Sequence, residues 1–441
     1  MSNRTPLLRS KRFLPLFVTQ SLGAFNDNLY KIAMLTLITY DLSKHLDLNA
    51  AILNPLAAGL FILPFALFSA TAGQLADKYE KSQQVRWLKT LEVFIMILGG
   101  FALYTNNVLL MFVTLFLLGL QSTFFGPIKY SILPEHLKEN ELIKGNALVE
   151  TATFIAILVG NIIGGLLVRG DNGIFWTTGL TLLAAITGLI AALNIPKTKR
   201  ADPTLTVNYN FITATKDLVK RLLSDKKVVP IVMLISWFWF FGSLFLAQLP
   251  SYTEAILGGD ESILTTLIAC FSIGIGLGSM LCSRLLKGNI TLKYVPLAAL
   301  LISAFTLDFY WISTSAALQK TGVLLALGQW VAEPTSWRIL IDLTGIAVSS
   351  GLYIVPLYTA LQTRSKEKER SRMVAANNIV NSGFMVMSAI AAMAVLKLGG
   401  GINEVFLLGG LLNFLAVGYL LSKKIDGDVL YKFLANLIPK K

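Results

Sequence analysis

Apolar residues in this chain are gathered into about a dozen runs of roughly 20 residues, each long enough at ~1.5 Å per residue to cross a hydrocarbon layer ~30 Å thick. Of its 441 residues 54% are hydrophobic and 14% charged, which excludes a water-soluble globule. The strands of a membrane β-barrel would alternate polar and apolar residues with frequent turns, and nothing here alternates that way. The runs fall at 13–40, 50–72, 86–105, 107–128, 143–168, 172–194, 229–257, 261–285, 293–313, 339–361, 373–396 and 402–422. They predict an all-α membrane protein with twelve transmembrane helices.

The net charge of +13 is explained by orientation and calls for no nucleic-acid partner. With the N-terminal tail cytoplasmic, 32 of the 38 Lys and Arg residues fall inside and five outside (Lys44, Arg169, Lys320, Arg338 and Lys397), while Lys31 lies within the first span. Both termini are therefore expected in the cytoplasm. The apolar stretch inside 314–338 is too short to span, and counting it would reverse the charge asymmetry, so it is expected to be interfacial or re-entrant. The basic segment 195–228 then divides a six-helix bundle at 1–194 from a second at 229–422, the layout of a two-bundle secondary transporter. Residues 423–441 have the pattern of an amphipathic surface helix whose lysines meet acidic lipid head groups. The run after the basic N-terminus holds Asp27 and Lys31, unlike a cleavable signal core, and is taken as a retained span.

An ionisable group inside a bilayer is costly and marks a pathway or a pair. In the first span Asp27 lies about 21 Å along the helix from Phe13 and Lys31 about 27 Å. Gln20, Gly23, Asp27 and Lys31 recur at helical spacing as one polar stripe, flanked by Asn26 and Asn28. Asp27 and Lys31 are also spaced to neutralise each other within the helix. Lys129 ends span four and Glu150 lies about 11 Å into span five, within reach of an inner-gate pair or of a purely structural one. Asn146 shares the face of Glu150, and Gln121 adds an amide on span four. Glu92 is expected beside the 73–89 loop, and Asp308 and Asp342 at the outer interface. Weak internal symmetry aligns Lys129 with Tyr358 and Glu150 with Asn381, charge in the first half against neutral groups in the second. Trp237, Phe241 and Phe245 on span seven and Tyr353 on span ten offer either an aromatic wall for an amphiphile or ordinary packing.

Enzyme chemistry finds no support. Neither His45 nor His136 is followed by the Asp of an acyltransferase pair, no phosphate-binding nucleotide loop occurs, and Cys270 and Cys282 share one apolar run with no metal-ligand spacing. No catalytic residue, cofactor or metal is assigned.

The 73–89 segment opens Gly73-Gln74-Leu75-Ala76-Asp77-Lys78 and resembles the signature loop of the major facilitator superfamily, with Glu80 where that pattern has a second Gly. Its Asp meets a helix N-terminus or a basic residue of another span, which makes Gly73, Asp77 and Lys78 gating candidates. Arg12 to Gln20, then Leu22-Gly23-Ala24-Phe25-Asn26-Asp27-Asn28, Gly126 to Glu135 and Lys144 to Glu150 resemble the lysophospholipid transporter branch of that superfamily, nearest to the transporter module that some bacteria fuse to an acyltransferase. The match is good over the first 170 residues and thins after 230, and span seven lacks the basic residue expected of stand-alone members. The resemblance implies the major facilitator fold and a multi-pass flippase of the bacterial inner membrane, carrying lysophosphatidylethanolamine-like lipids to a cytoplasmic acyltransferase. Substrate and coupling groups would be Gln20, Asn26, Asp27, Asn28, Lys31, Gln121, Lys129, Asn146, Glu150, Trp237, Phe241, Phe245, Tyr353 and Asn381. Two other classes stay open: a proton-coupled exporter or importer of another amphiphile such as a drug or siderophore, and a non-transporting scaffold for a lipid-modifying enzyme.

Overall fold

The computed structural model describes residues 6–42, 50–315 and 324–422. Among these the long elements are all helices: α1 (Leu14–Leu37), α2 (Ala50–Lys78), α3 (Lys81–Tyr104), α4 (Val108–Ser131), α5 (Leu142–Val168), α6 (Gly173–Leu193), α7 (Phe211–Ser224), α8 (Val229–Ala255), α9 (Glu261–Leu286), α10 (Val295–Ser315), α11 (Pro334–Arg364), α12 (Arg370–Lys397) and α13 (Ile402–Ser422). Eleven of the described helices are long and apolar enough to cross a membrane. The α1 helix has the length, at 24 residues, but its Gln, Asn, Asp and Lys side chains keep its mean hydropathy below theirs. The α7 helix is short and amphipathic, burying only Ala214, Leu218 and Leu222. The expected surface helix at 423–441 lies outside the described residues.

Two of the boundaries that differ from expectation meet at one turn. Residues 73–78 are the last turns of α2 instead of a loop, and α3 begins at Lys81 instead of 86. The reason is Glu80. Its extended backbone (φ −67°, ψ 124°) stops one helix, and its carboxylate starts the next by accepting the N–H groups of Ser82 and Gln83, both at 2.9 Å. The same carboxylate accepts the N–H and the hydroxyl of Thr198, each at 2.8 Å, which fastens the chain after α6 to this turn. Burial opposes ionisation of Glu80, but the donors of Thr198 and Ser82 outweigh it and hold the carboxyl down at about 2.

The chain forms two compact units. One comprises Met1–Gly145, Ala152–Val229 and Leu361–Ser382, so that it contains the first turns of α12. Within it α2 packs along α4, and α6 along both α1 and α3. Its core is Tyr30, Met34 and Leu37 of α1, Ile95, Met96 and Leu103 of α3, and Met111, Leu115 and Leu118 of α4.

The other unit comprises Asn146–Thr151, Pro230–Ala360 and Gly383–Lys441. Phe245 is its hub, with ring centroids of Phe406, Phe309 and Phe271 at 4.5, 5.3 and 6.2 Å. Of the expected 314–338 insertion, the last residues from Pro334 belong to α11, and the described stretch before it holds one helical turn, Leu327–Trp330, tied to the α8–α9 turn by backbone bonds between Leu325 and both Gly258 (2.7 Å) and Asp260 (3.0 Å). Helices α9 and α11 meet backbone to backbone. A Cβ on Gly278 would stand 1.9 Å from the Val348 carbonyl oxygen, and one on Gly351 2.3 Å from that of Ile275.

Two expectations follow. Gly278→Val must push α9 off α11 and lower the Tm of the purified protein in detergent, as overpacking typically costs ~1–3 kcal/mol. Because the carboxyl of Glu80 is held below its ordinary value of 4.5, its stabilisation is fully present above that pH and is lost as pH falls toward 2. The Tm gap between wild type and Glu80→Gln should therefore be constant at neutral pH and close only below about pH 4.5.

Candidate functional site

Inside the first unit the buried polar side chains of α1, α3 and α4 converge on one carboxylate. Glu92, 1% exposed, accepts from Asn26 Nδ2 at 3.1 Å, from Gln121 Nε2 at 3.1 Å and from Lys89 Nζ at 2.5 Å. Lys89 is equally buried. Its ammonium lies over the Phe125 ring, 5.5 Å from the centroid, and fills a notch that exists because residue 23 is Gly: a Cβ there would be 2.6 Å from Nζ.

Asp27 lies beside this network and couples electrostatically to Glu92, Lys89 and Lys31. Ser122 donates to its Oδ2 at 2.7 Å, while its buried Oδ1 has no hydrogen-bond partner among the described residues. Lys31 donates to Asn28 Oδ1 at 3.0 Å, with Phe61 5.9 Å away, and Gln20 Oε1 accepts from Thr153 at 2.9 Å. Two carboxylates and two ammonium groups are thus assembled in one helix cluster with no net charge.

Glu92 corrects the sequence expectation. With α3 starting at Lys81, Lys89 lies about 12 Å and Glu92 about 16 Å into the helix, far from the turn to which both were assigned. The available signal was a pair of opposite charges at i and i+3 within an otherwise apolar stretch.

A second site is built around Asp77 near the end of α2. Its Oδ1 accepts the Ser371 N–H at 3.0 Å, and its Oδ2 accepts the Arg372 N–H at 3.2 Å and Arg372 Nε at 2.9 Å. These are first-turn amides of α12, where free N–H groups and the helix dipole favour an anion. Arg372 also reaches Asp202 at 3.0 Å, and the Asp202 N–H returns to the Asp77 carbonyl at 2.8 Å. Gly73 permits the approach, since a Cβ there would lie 2.6 Å from that of Ala375. Lys78 Nζ stands over the Tyr79 ring at 5.7 Å. Neither Arg372 nor Asp202 was singled out by the sequence; they lie 295 and 125 positions from Asp77.

The remaining candidates are distributed over both units. Lys129 belongs to the first unit, with its ammonium 4.5 Å from the centroid of the Tyr130 ring, whereas the buried Glu150 belongs to the second. Asn381 is buried in the first unit. In the second, Asn146 donates to Thr359 at 3.1 Å. The aromatic candidates pack against other side chains of the second unit. Phe245 is fully buried in its ring cluster with Phe241 at 5.8 Å, Tyr353 is buried with its hydroxyl on the Leu234 carbonyl at 3.1 Å, and Trp237 stacks on Phe240 and donates to Asn413 at 2.7 Å.

Residues 16–348 match the sequence profile of the Major Facilitator Superfamily. The chain belongs to that superfamily. Solved structures agree on the fold. The Escherichia coli fucose:proton symporter FucP aligns with TM-score 0.64 at 14% identity over 93% of this chain and 98% of that one. A bacterial homologue of the iron transporter ferroportin aligns with TM-score 0.69 at 11% identity over 94% and 98%. Among curated proteins, the lysophospholipid transporter LplT of Escherichia fergusonii is 28% identical over 394 residues, 88% of this chain and 90% of the relative. Its counterpart in Escherichia coli K12 is 27% identical over 396 residues with the same coverage. The protein is thus a multi-pass member of a transporter superfamily.

The Glu92 network gives a quantitative expectation. Lys89→Met strands a buried carboxylate and should destabilise the protein by about 3–5 kcal/mol. Lys89→Met combined with Glu92→Gln should recover much of that loss, so a thermal double-mutant cycle must return a favourable coupling; additivity would contradict the buried pair.

Proposed function

We propose that this protein is an alternating-access transporter that moves lysophospholipids, lysophosphatidylethanolamine-like ones first, across the bacterial inner membrane. The observation that carries the reading is the neutral set of two carboxylates and two ammonium groups buried around Asp27 and Glu92, in a chain whose curated relatives are lysophospholipid transporters along nearly their whole length. A lysophosphatidylethanolamine head group is itself a cation and an anion on one short tether. Its ammonium suits the unpartnered oxygen of Asp27, and its phosphate suits Lys31, whose present hydrogen bond is to a neutral amide. Glu92 keeps Lys89 from competing for either.

In this scheme the basic face carrying Asp77, α7 and Arg372 is cytoplasmic, twelve helices cross the membrane, and both termini lie inside. The dock of Asp77 on the first turn of α12 holds one conformation, and its release is part of the change of access. The lysolipid delivered inward is the acceptor that a cytoplasmic acyltransferase would consume.

The test is uptake of labelled lysophosphatidylethanolamine into vesicles holding equal amounts of folded wild type or Asp27→Asn, with and without a proton gradient. The expected result is gradient-independent uptake, slowed by roughly tenfold or more in the variant, the loss of ~1.4 kcal/mol. Uptake that collapses with the gradient transfers the role of Asp27 to proton coupling. No uptake by folded wild type removes the lysolipid assignment, and transport indifferent to Asp27→Asn removes the head-group site.

A further inference from the structure

The α7 helix carries more apolar side chains than it buries. Ala214, Leu218 and Leu222 face the protein, and Phe211 packs on Phe68 of α2 with ring centroids 5.8 Å apart. Ile212, Val219 and Leu223 recur at i, i+7 and i+11 and form a second stripe, about 100° around the helix from the first. Ile212 and Leu223 are 65% and 59% exposed, and Tyr209, just ahead of the helix, 71%. Lys216 lies within this second stripe and Lys220 along its edge, both exposed. Folding uses the inner stripe, and the described residues leave the outer one uncovered.

The approach to α7 climbs one face of α2. The Asp202 N–H donates to the Asp77 carbonyl at 2.8 Å, the Asn208 N–H to Gln74 Oε1 at 2.7 Å, and Phe211 then reaches Phe68. Phe68 lies ten residues before Lys78, the end of α2, or about 15 Å along a helix long and apolar enough to cross a membrane. The first turn of α7 therefore stands beside the membrane-crossing stretch of α2 and not beyond its end. The last turn is held by Arg221 on Glu369, in the turn before α12: Nε donates to Oε2 at 2.8 Å and Nη2 to Oε1. Lysines set beside exposed apolar side chains match an apolar layer with a negatively charged surface. Segment 423–441 matches less well, since its five Lys against two Asp would bring like charge to Lys216 and Lys220.

We propose that the outer face of α7 seats on the membrane itself, with Tyr209, Ile212, Val219 and Leu223 at the acyl boundary of the leaflet where α2 ends, and Lys216 and Lys220 on the phosphates of anionic phospholipids. The stems of both lysines lie along the apolar stripe while their ammonium groups reach the head groups. Because α7 is fastened to α2 through Phe211 and to the turn before α12 through Arg221, anionic lipid holds together the two elements that meet at Asp77. This surface is independent of which amphiphile is carried.

Nitroxide labels on the full-length protein in nanodiscs test the proposal, with Cys270→Ser and Cys282→Ser as background and phosphatidylcholine, alone or mixed with phosphatidylglycerol, as the bilayer. Labels at Ile212→Cys and Leu223→Cys should be relaxed by oxygen and shielded from a water-soluble nickel chelate, whereas a label at Ser224→Cys should show the reverse. The shielding should rise several-fold with phosphatidylglycerol, and Lys216→Gln combined with Lys220→Gln should remove that rise. Labels at 212 and 223 that the chelate relaxes as readily as the one at 224 in both bilayers would overturn the seat. Shielding that is equal in both bilayers and untouched by the lysine variants assigns the face to another cover, the 423–441 segment included, and overturns the proposal too. If the cysteine-free background does not fold, hydrogen exchange of the α7 amides in wild type decides: exchange should slow with phosphatidylglycerol, and equal rates in both bilayers would contradict the proposal.

Discussion

A carboxylate buried between apolar helices has to find its donors inside the bundle, and Glu92 finds all of its own on three different helices. Asn26 comes from α1, Lys89 from α3 itself and Gln121 from α4. Leaving such a group unpaired costs more than most packing defects, so the rotation of α1 and α4 about their axes is fixed by this one residue. That rotation then decides what else α1 presents. Asp27 follows Asn26 by one position, about 100° around the helix, and so takes its hydrogen bond from Ser122 at the side of the Glu92 cluster.

The Asp77 site solves a different problem by similar means. Its carboxylate sits where the first-turn amides of α12 have no helical partner, so that one side chain satisfies two backbone donors and one guanidinium donor together. The segment after α6 is threaded into the same place. Thr198 binds Glu80, Asp202 binds both Asp77 and Arg372, and the Asn208 N–H donates to Gln74 Oε1 at 2.7 Å. A stretch that composition marks only as a basic linker is therefore a strap along the end of α2.

How much of this could be read from the sequence depends on the range over which each feature is encoded. The helices were legible because an apolar run some 20 residues long has few alternatives, and the polar residues of α1 were legible because each is an outlier in such a run. Helix starts were harder. Glu is not a favoured N-cap, so Glu80 gives no stop-and-start signal, the expected onset of α3 falls five residues late, and Glu92 is expected beside the 73–89 loop. The aromatic residues of α8 were left with two readings for another reason. Periodicity puts Phe241 and Phe245 on one face but does not say whether that face meets a cavity or Phe309 and Phe406. The link from Asp77 to Arg372 joins positions 295 apart, which no local pattern reports.

The polar load of α1 is met residue by residue. Each of its buried polar groups costs free energy in the bundle unless it is partnered, and most are: Asn26 by Glu92, Gln20 by Thr153, Lys31 by Asn28. Asp27 accepts one hydrogen bond, from Ser122, and Asp27 and Asn26 each keep a buried Oδ1 that has no hydrogen-bond partner among the described residues. Glu92 and Asp27 are charged alike and buried in the same cluster, yet Glu92 accepts from three side chains on three helices and Asp27 from Ser122, so it is Glu92 that ties α1, α3 and α4 together.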